Sequence, residues 1–196
     1  LIGFIIIIPN GSKVMTLFGK YVGTIKQDGF YWANPFYFKR NISLRAHNFD
    51  SERLKVNDMR GNPIQISVIL VWRVKDTFKA TFEVENLSNF VKVQTDSAVR
   101  KLAGNYPYDH VDNSDEITLR TSSQQVNDSL EKELQERLEI AGIEVMEARI
   151  GYLAYASEIA AAMLKRQQAE AIVAARFKIV EGAVGMVEGA LKQLQD

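Results

Sequence analysis

The sequence predicts an α+β domain, a mixed and largely antiparallel sheet with packed helices, followed by one long projecting helix of the coiled-coil type. Three patterns carry that prediction. Apolar residues alternate at period two between residues 42 and 74, then recur at helical spacing between 87 and 141, and a proline-free tail rich in helix formers runs from Ser157 to the end. The expected organisation is an opening segment 1–8, a domain 9–153 and a C-terminal oligomerisation helix 154–196.

The opening, LIGFIIIIPNG, runs apolar from Leu1 to Ile8 without a charge. Eight residues are too few to cross a bilayer, which takes about 20 in a helix. No basic region or small-residue cleavage site marks it as a signal peptide. Pro9-Asn10-Gly11 is a turn signal and Lys13 to Lys20 reads as a second strand, so Ile5 to Phe18 reads as strand, turn, strand. Leu1 to Phe4 read as the last turn of a preceding membrane anchor. The absence of an initiator Met reads as a chain cut from something longer.

Further along, Ile42, Leu44 and Ala46 alternate with Ser43, Arg45 and His47. Ile64, Ile66, Val68, Leu70, Trp72 and Val74 form one face of a longer strand, and Ile69 and Val71 make its middle apolar on both faces. The turn formers between Asn57 and Pro63 predict a loop joining antiparallel strands. Leu87, Phe90, Val91, Ala98 and Leu102 then define a helix that stops at Gly104-Asn105, just before Pro107. A second helix carries Val126, Leu130, Leu134, Leu138 and Ala141 and stops at Gly142. Ile143 to Leu153 returns as a strand.

The tail is different in kind. Ser157 is a suitable N-cap, and a helix from there to the end would be about 60 Å long. Ile159, Met163, Arg166, Glu170, Val173, Phe177, Val180, Val184, Val187, Leu191 and Leu194 form a heptad seam, polar only at Arg166 and Glu170. A second apolar line, Ile172, Ile179, Ala183, Met186 and Ala190, runs beside it. Two seams suit a helix flanked on both sides by copies of itself. The competing reading is a helix docked on its own domain. Gly182, Gly185 and Gly189 would each cost a helix interior about 1 kcal/mol relative to alanine, which implies fraying or close packing against a neighbour.

The net charge is zero, but Pro9 to Arg60 carries +5 and Gly61 to Asp196 carries −5. A basic N-terminal half suits an anionic leaflet, at roughly 1 kcal/mol per basic residue near the surface. Phe30, Tyr31, Trp32, Phe36, Tyr37 and Phe38 surround Pro35 and precede Lys39-Arg40, a composition that favours the membrane–water interface. The competing reading is a packed loop closing one end of the sheet, and both can hold with some rings inward and others in lipid. With Leu1, Ile2, Phe4 and Ile5 these six aromatics make up the expected membrane contact. The expected oligomer contact is Ile159, Met163, Ile172, Val173, Phe177, Ile179, Val180, Val184, Val187 and Leu191.

Three stretches, FGKYVGTIKQDGFYWANPF, LKVNDMRGNPIQISVILVWRV and MLKRQQAEAIVAARFKIVEGAVGMVEGAL, resemble the SPFH (band 7) family of stomatins, prohibitins, flotillins and the HflK/HflC proteins. With the YPYDH region they cover most of Pro9 to Leu191, and the likeness is to bacterial members of the stomatin/prohibitin type. The resemblance implies a single-pass or hairpin N-terminal anchor and a domain against the membrane, on the cytoplasmic face of a bacterial inner membrane. It further implies a homo-oligomeric ring or cage, walled by the long helices, that organises lipids and enclosed proteins. The alternative it carries is a non-catalytic regulatory subunit of a membrane protease. The sequence departs from the family in lacking most of the anchor and further C-terminal chain, which leaves ring closure at the far end, and hence cage formation, open.

Catalysis finds little support. Without cysteine there is no thiol nucleophile or thiolate metal site. His47 reads as outward-facing on a strand and His110 lies in the polar loop YPYDHVDNSDE; neither sits beside a Gly-x-Ser-x-Gly turn. Glu131, Glu133, Glu136 and Glu139 read as a solvated helix face. Asp109, His110 and Asp112 match no metal spacing. Gly19-Lys20 lacks a phosphate-cradling glycine loop, and a neutral balance gives no reason to expect nucleic acid. No cofactor is expected.

Overall fold

A computed structural model describes residues 3–109, 117–121 and 123–195. The chain divides into two compact units, Leu1–Ala154 and Tyr155–Asp196.

In the first unit, β1 (Phe4–Ile7) pairs antiparallel with β4 (Gly29–Trp32). The strand–turn–strand reading of the opening holds locally: Gly11 N–H donates to the Ile8 carbonyl at 2.9 Å, and Asn10 takes the left-handed conformation (φ 58°). The two strands nevertheless do not pair with each other. β2 (Gly11–Leu17) pairs with β3 (Lys20–Ile25) and with β5 (Phe38–Ser43), giving the order β3-β2-β5. Leu44 and Ala46 do not extend β5. Leu44 N–H turns to the Asn10 carbonyl, and a new strand, β6, starts at His47.

The third sheet is built on β8 (Pro63–Val74). β6 (His47–Asp50) and β7 (Leu54–Asn57) pair with successive stretches of it, in registers that differ by one residue. They are therefore two halves of one edge, broken at Ser51–Arg53. Ser51 bridges the break: its N–H donates to the Val68 carbonyl at 2.9 Å and its Oγ accepts from Val68 N–H at 2.8 Å. The turn from β7 to β8 closes on Asp58, a buried carboxylate that accepts from the N–H groups of Arg60, Asn62 and Tyr108. Ile64, Ile66, Val68 and Leu70 are fully buried, as the alternation predicts, and Ile69 and Val71 are half-covered on the other face.

A short helix that periodicity did not reveal, α1 (Thr77–Phe82), follows β8. Asp76 caps it by accepting from the N–H groups of Phe78 and Lys79. α2 (Leu87–Asn105) and α3 (Ser123–Leu138) match the predicted helices, and Val126, Leu130, Leu134 and Leu138 are wholly buried. A single 3₁₀ turn at Glu139–Ala141 leads to Gly142, left-handed at φ 65°. β9 (Ile143–Tyr155) then pairs with β8. Side chains of α3 occupy part of its edge: Gln135 donates to the Ile143 carbonyl and accepts from Val145 N–H, and Asn127 accepts from Ile150 N–H.

One helix-face expectation is corrected here. Glu133 is only partly solvated and is ion-paired: its oxygens lie 2.6 Å from Lys101 Nζ on α2 and 2.6 Å from Arg137 Nε one turn along α3. Those hydrogen bonds, to Lys101 first and then Arg137, hold its carboxyl below the ordinary 4.5. A depressed carboxyl adds stability above the unfolded value and loses it as pH falls through the folded one. Wild type should therefore lose more melting temperature than Glu133→Gln between about pH 6 and about pH 3. Equal losses in a pH series of melting curves would show that this clamp does not hold α2 to α3.

The second unit is α4 (Ser157–Gln195), one continuous helix of 39 residues, as the tail predicts.

Candidate functional site

The β1–β4 ribbon is apolar on both faces. Cross-strand partners share a face, so the register Phe4↔Trp32, Ile5↔Tyr31, Ile6↔Phe30 sorts the side chains into two sets. Ile5 and Ile7 are buried. Ile5 packs with Met15 and Ala33, and Tyr31 and Tyr37 lean on that cluster. Phe4, Ile6, Phe30 and Trp32 form the other face and are 46%, 66%, 66% and 66% exposed. Phe4 and Phe30 stack with centroids 5.1 Å apart.

This arrangement corrects the expected membrane contact. Ile5 is turned inward by the strand pleat and buried, and Tyr31 and Tyr37 are half-buried against the inner cluster. Phe4, Phe30 and Trp32 lie together on the outer face, and Phe36 and Phe38 are exposed beyond it. Leu1 and Ile2 lie outside the described residues. Three exposed residues escaped the sequence reading. Ile6 and Ile8 continue the face of Phe4, while Phe18, 85% exposed, occupies the tip of the β2–β3 hairpin. The missed signal was local: Phe18-Gly19 fills a two-residue turn with positive φ at both positions, where Asn-Gly is the ordinary choice.

Along α4, Ile172, Val173, Phe177, Ile179, Val180, Val184, Val187 and Leu191 are all more than half exposed in the single chain. Ile159 and Met163, nearer its start, are half-buried. Beta carbons added at Gly182, Gly185 and Gly189 would meet nothing within 4 Å, so no contact inside the chain requires glycine there.

The residues considered for chemistry are scattered. His47 is half-buried rather than outward: its ring stacks on Trp72, its partner in the β6–β8 register, at 4.8 Å. His110 and Asp112 lie outside the described residues. Among the described residues no group of three or more His, Asp or Glu could hold a metal, and no helix is long and apolar enough to cross a membrane.

The family model described as SPFH domain / Band 7 family matches residues 5–183. The chain belongs to that family, whose members are generally membrane-associated scaffolds that oligomerise and carry no catalysis. No match is found among the curated proteins.

Proposed function

We propose that this chain is a membrane-attached, non-catalytic scaffold that rests on lipid through the outer face of the β1–β4 ribbon. Its copies associate through α4 into a ring or cage that organises a membrane microdomain and the proteins within it. One observation carries the membrane half of this reading. Phe4, Ile6, Phe30 and Trp32 form a contiguous apolar face that the chain leaves open to solvent. Such patches mark interaction surfaces, and the enrichment in aromatic rings with lysine and arginine nearby suits the lipid headgroup region. Family membership supports the same reading.

Vesicle flotation tests it. Phe30→Ser with Trp32→Ser removes two large exposed rings without touching the inner cluster, so the fold should persist by circular dichroism. Partition onto vesicles should fall roughly 100-fold, since each ring that buries in lipid is worth about 1.5 kcal/mol or more. Unchanged partition would remove this face from the membrane contact.

A further inference from the structure

Beside the apolar face, the end of β1, the turn at Pro9-Asn10, the start of β2 and the end of β5 enclose a cavity of about 410 Å³. Its chemistry is lopsided. Lys13 and Arg45 line it, no carboxylate does, and among the described residues no acid pairs with either cation. The remaining polar lining, including Asn41 and Ser43, consists of neutral hydrogen-bonding groups. Lys13 and Asn41 are cross-strand partners and Gly11 is the partner of Ser43, so Lys13, Asn41 and Ser43 share one face of the β2–β5 pair. Arg45 follows on a loop that is held in place: its N–H donates to Ser43 Oγ at 3.3 Å, and Leu44 N–H donates to the Asn10 carbonyl at 2.9 Å.

The rest of the lining includes an apolar part. It comprises Ile6 and Ile8, 66% and 57% exposed, which belong to the same outer face as Phe4. A site lined by two unpaired cations, neutral hydrogen-bonding groups and open isoleucines suits an amphiphilic anion. Guanidinium and ammonium groups bind phosphate oxygens strongly. The isoleucines would meet the first carbons of an acyl chain.

We propose that this cavity binds the phosphate headgroup of an anionic phospholipid, with Lys13 and Arg45 on the phosphate and Ile6 and Ile8 against the glycerol and upper acyl carbons. The assignment rests on the membrane reading above but makes a separate claim, a preference for anionic over neutral lipid.

Vesicle binding of the full chain separates the two. On zwitterionic phosphatidylcholine vesicles, where a choline cation offsets each phosphate charge, wild type should bind mainly through the apolar face, and Lys13→Gln/Arg45→Gln should lose little. Adding about one-fifth phosphatidylglycerol should tighten wild-type binding about tenfold or more, and the double variant should lose that gain. Lys20→Gln/Lys39→Gln removes the same charge from outside the cavity and should keep most of the gain. Inorganic phosphate at about 10 mM, matched for ionic strength with chloride, should leave the gain in place. An equal loss in both double variants would mean diffuse attraction to the surface and overturn the site. Abolition by inorganic phosphate would make it a soluble-phosphate site and overturn the lipid assignment. Absence of wild-type binding to either vesicle would defeat the membrane reading, and this proposal with it.

Discussion

Gly142→Ala should destabilise the first unit by about 3 kcal/mol or more, lowering its melting temperature by roughly 10 °C. Two costs add. At φ 65° an alanine must adopt the left-handed conformation, which disfavours any side chain bearing a Cβ. That Cβ would also press into the carbonyl oxygen of Asp76, with Asp76 Cβ at 2.8 Å and Lys79 Cβ at 3.0 Å. These neighbours cannot give way cheaply. Asp76 caps α1, and the Gly142 carbonyl accepts from the N–H groups of both Lys75 and Asp76 at 2.9 and 3.0 Å. The strand end, the cap and the 3₁₀ turn are locked at one point.

Gly61 supplies the comparison. It is also left-handed, at φ 82°, but an added Cβ meets nothing within 4 Å. Gly61→Ala should therefore cost only the backbone strain, about 1 kcal/mol, or roughly 2–4 °C. Thermal melts of the two variants isolate the steric contribution at Gly142. Equal shifts would mean the contact with Asp76 relaxes and does not constrain the fold.

Gly142 also marks how far the sequence could be read. As a helix stop it was legible, because it follows the Val126–Ala141 stripe by one residue. Its partner was not, since α1 has six residues and too few turns to display a period. The same contrast runs through the chain. β8, α3 and α4 are long, and each commits one face to burial or leaves one apolar, so their spacing announces them. β3 shows no alternation between buried and exposed positions, and periodicity had nothing to find there.

At the candidate site the residue types were legible and their orientation was not. The aromatic cluster at 30–38 is legible, but the division of β4 into inward Tyr31 and outward Phe30 and Trp32 depends on its pairing with β1 from far upstream. Local alternation alone could not say which face would be covered. Glu133 failed for a related reason: its cation Lys101 comes from another helix, and nothing in the α3 sequence records that approach.

Val173→Asp with Val180→Asp should reduce the assembly proposed for α4 to small species. Val173, Val180 and Val187 repeat at seven residues, and so do Phe177, Val184 and Leu191; together they are the a and d positions of a heptad. All six are more than half exposed in the single chain, so their burial would have to come from another copy. Replacing two of them forfeits about 1.5 kcal/mol or more of burial apiece and places carboxylates where an apolar neighbour would desolvate them. The combined loss of about 4 kcal/mol or more per interface weakens association by a factor of about a thousand, and a closed ring multiplies that loss around its circumference. Light scattering or native mass measurement reads the result, with circular dichroism checking that the helix survives two substitutions of lower helix propensity. Val173→Ile with Val180→Ile keeps the seam apolar and should keep the assembly. A large particle that persists in the aspartate variant would show that copies meet through some other surface, and would return the glycines at 182, 185 and 189 to the status of an unexplained cost.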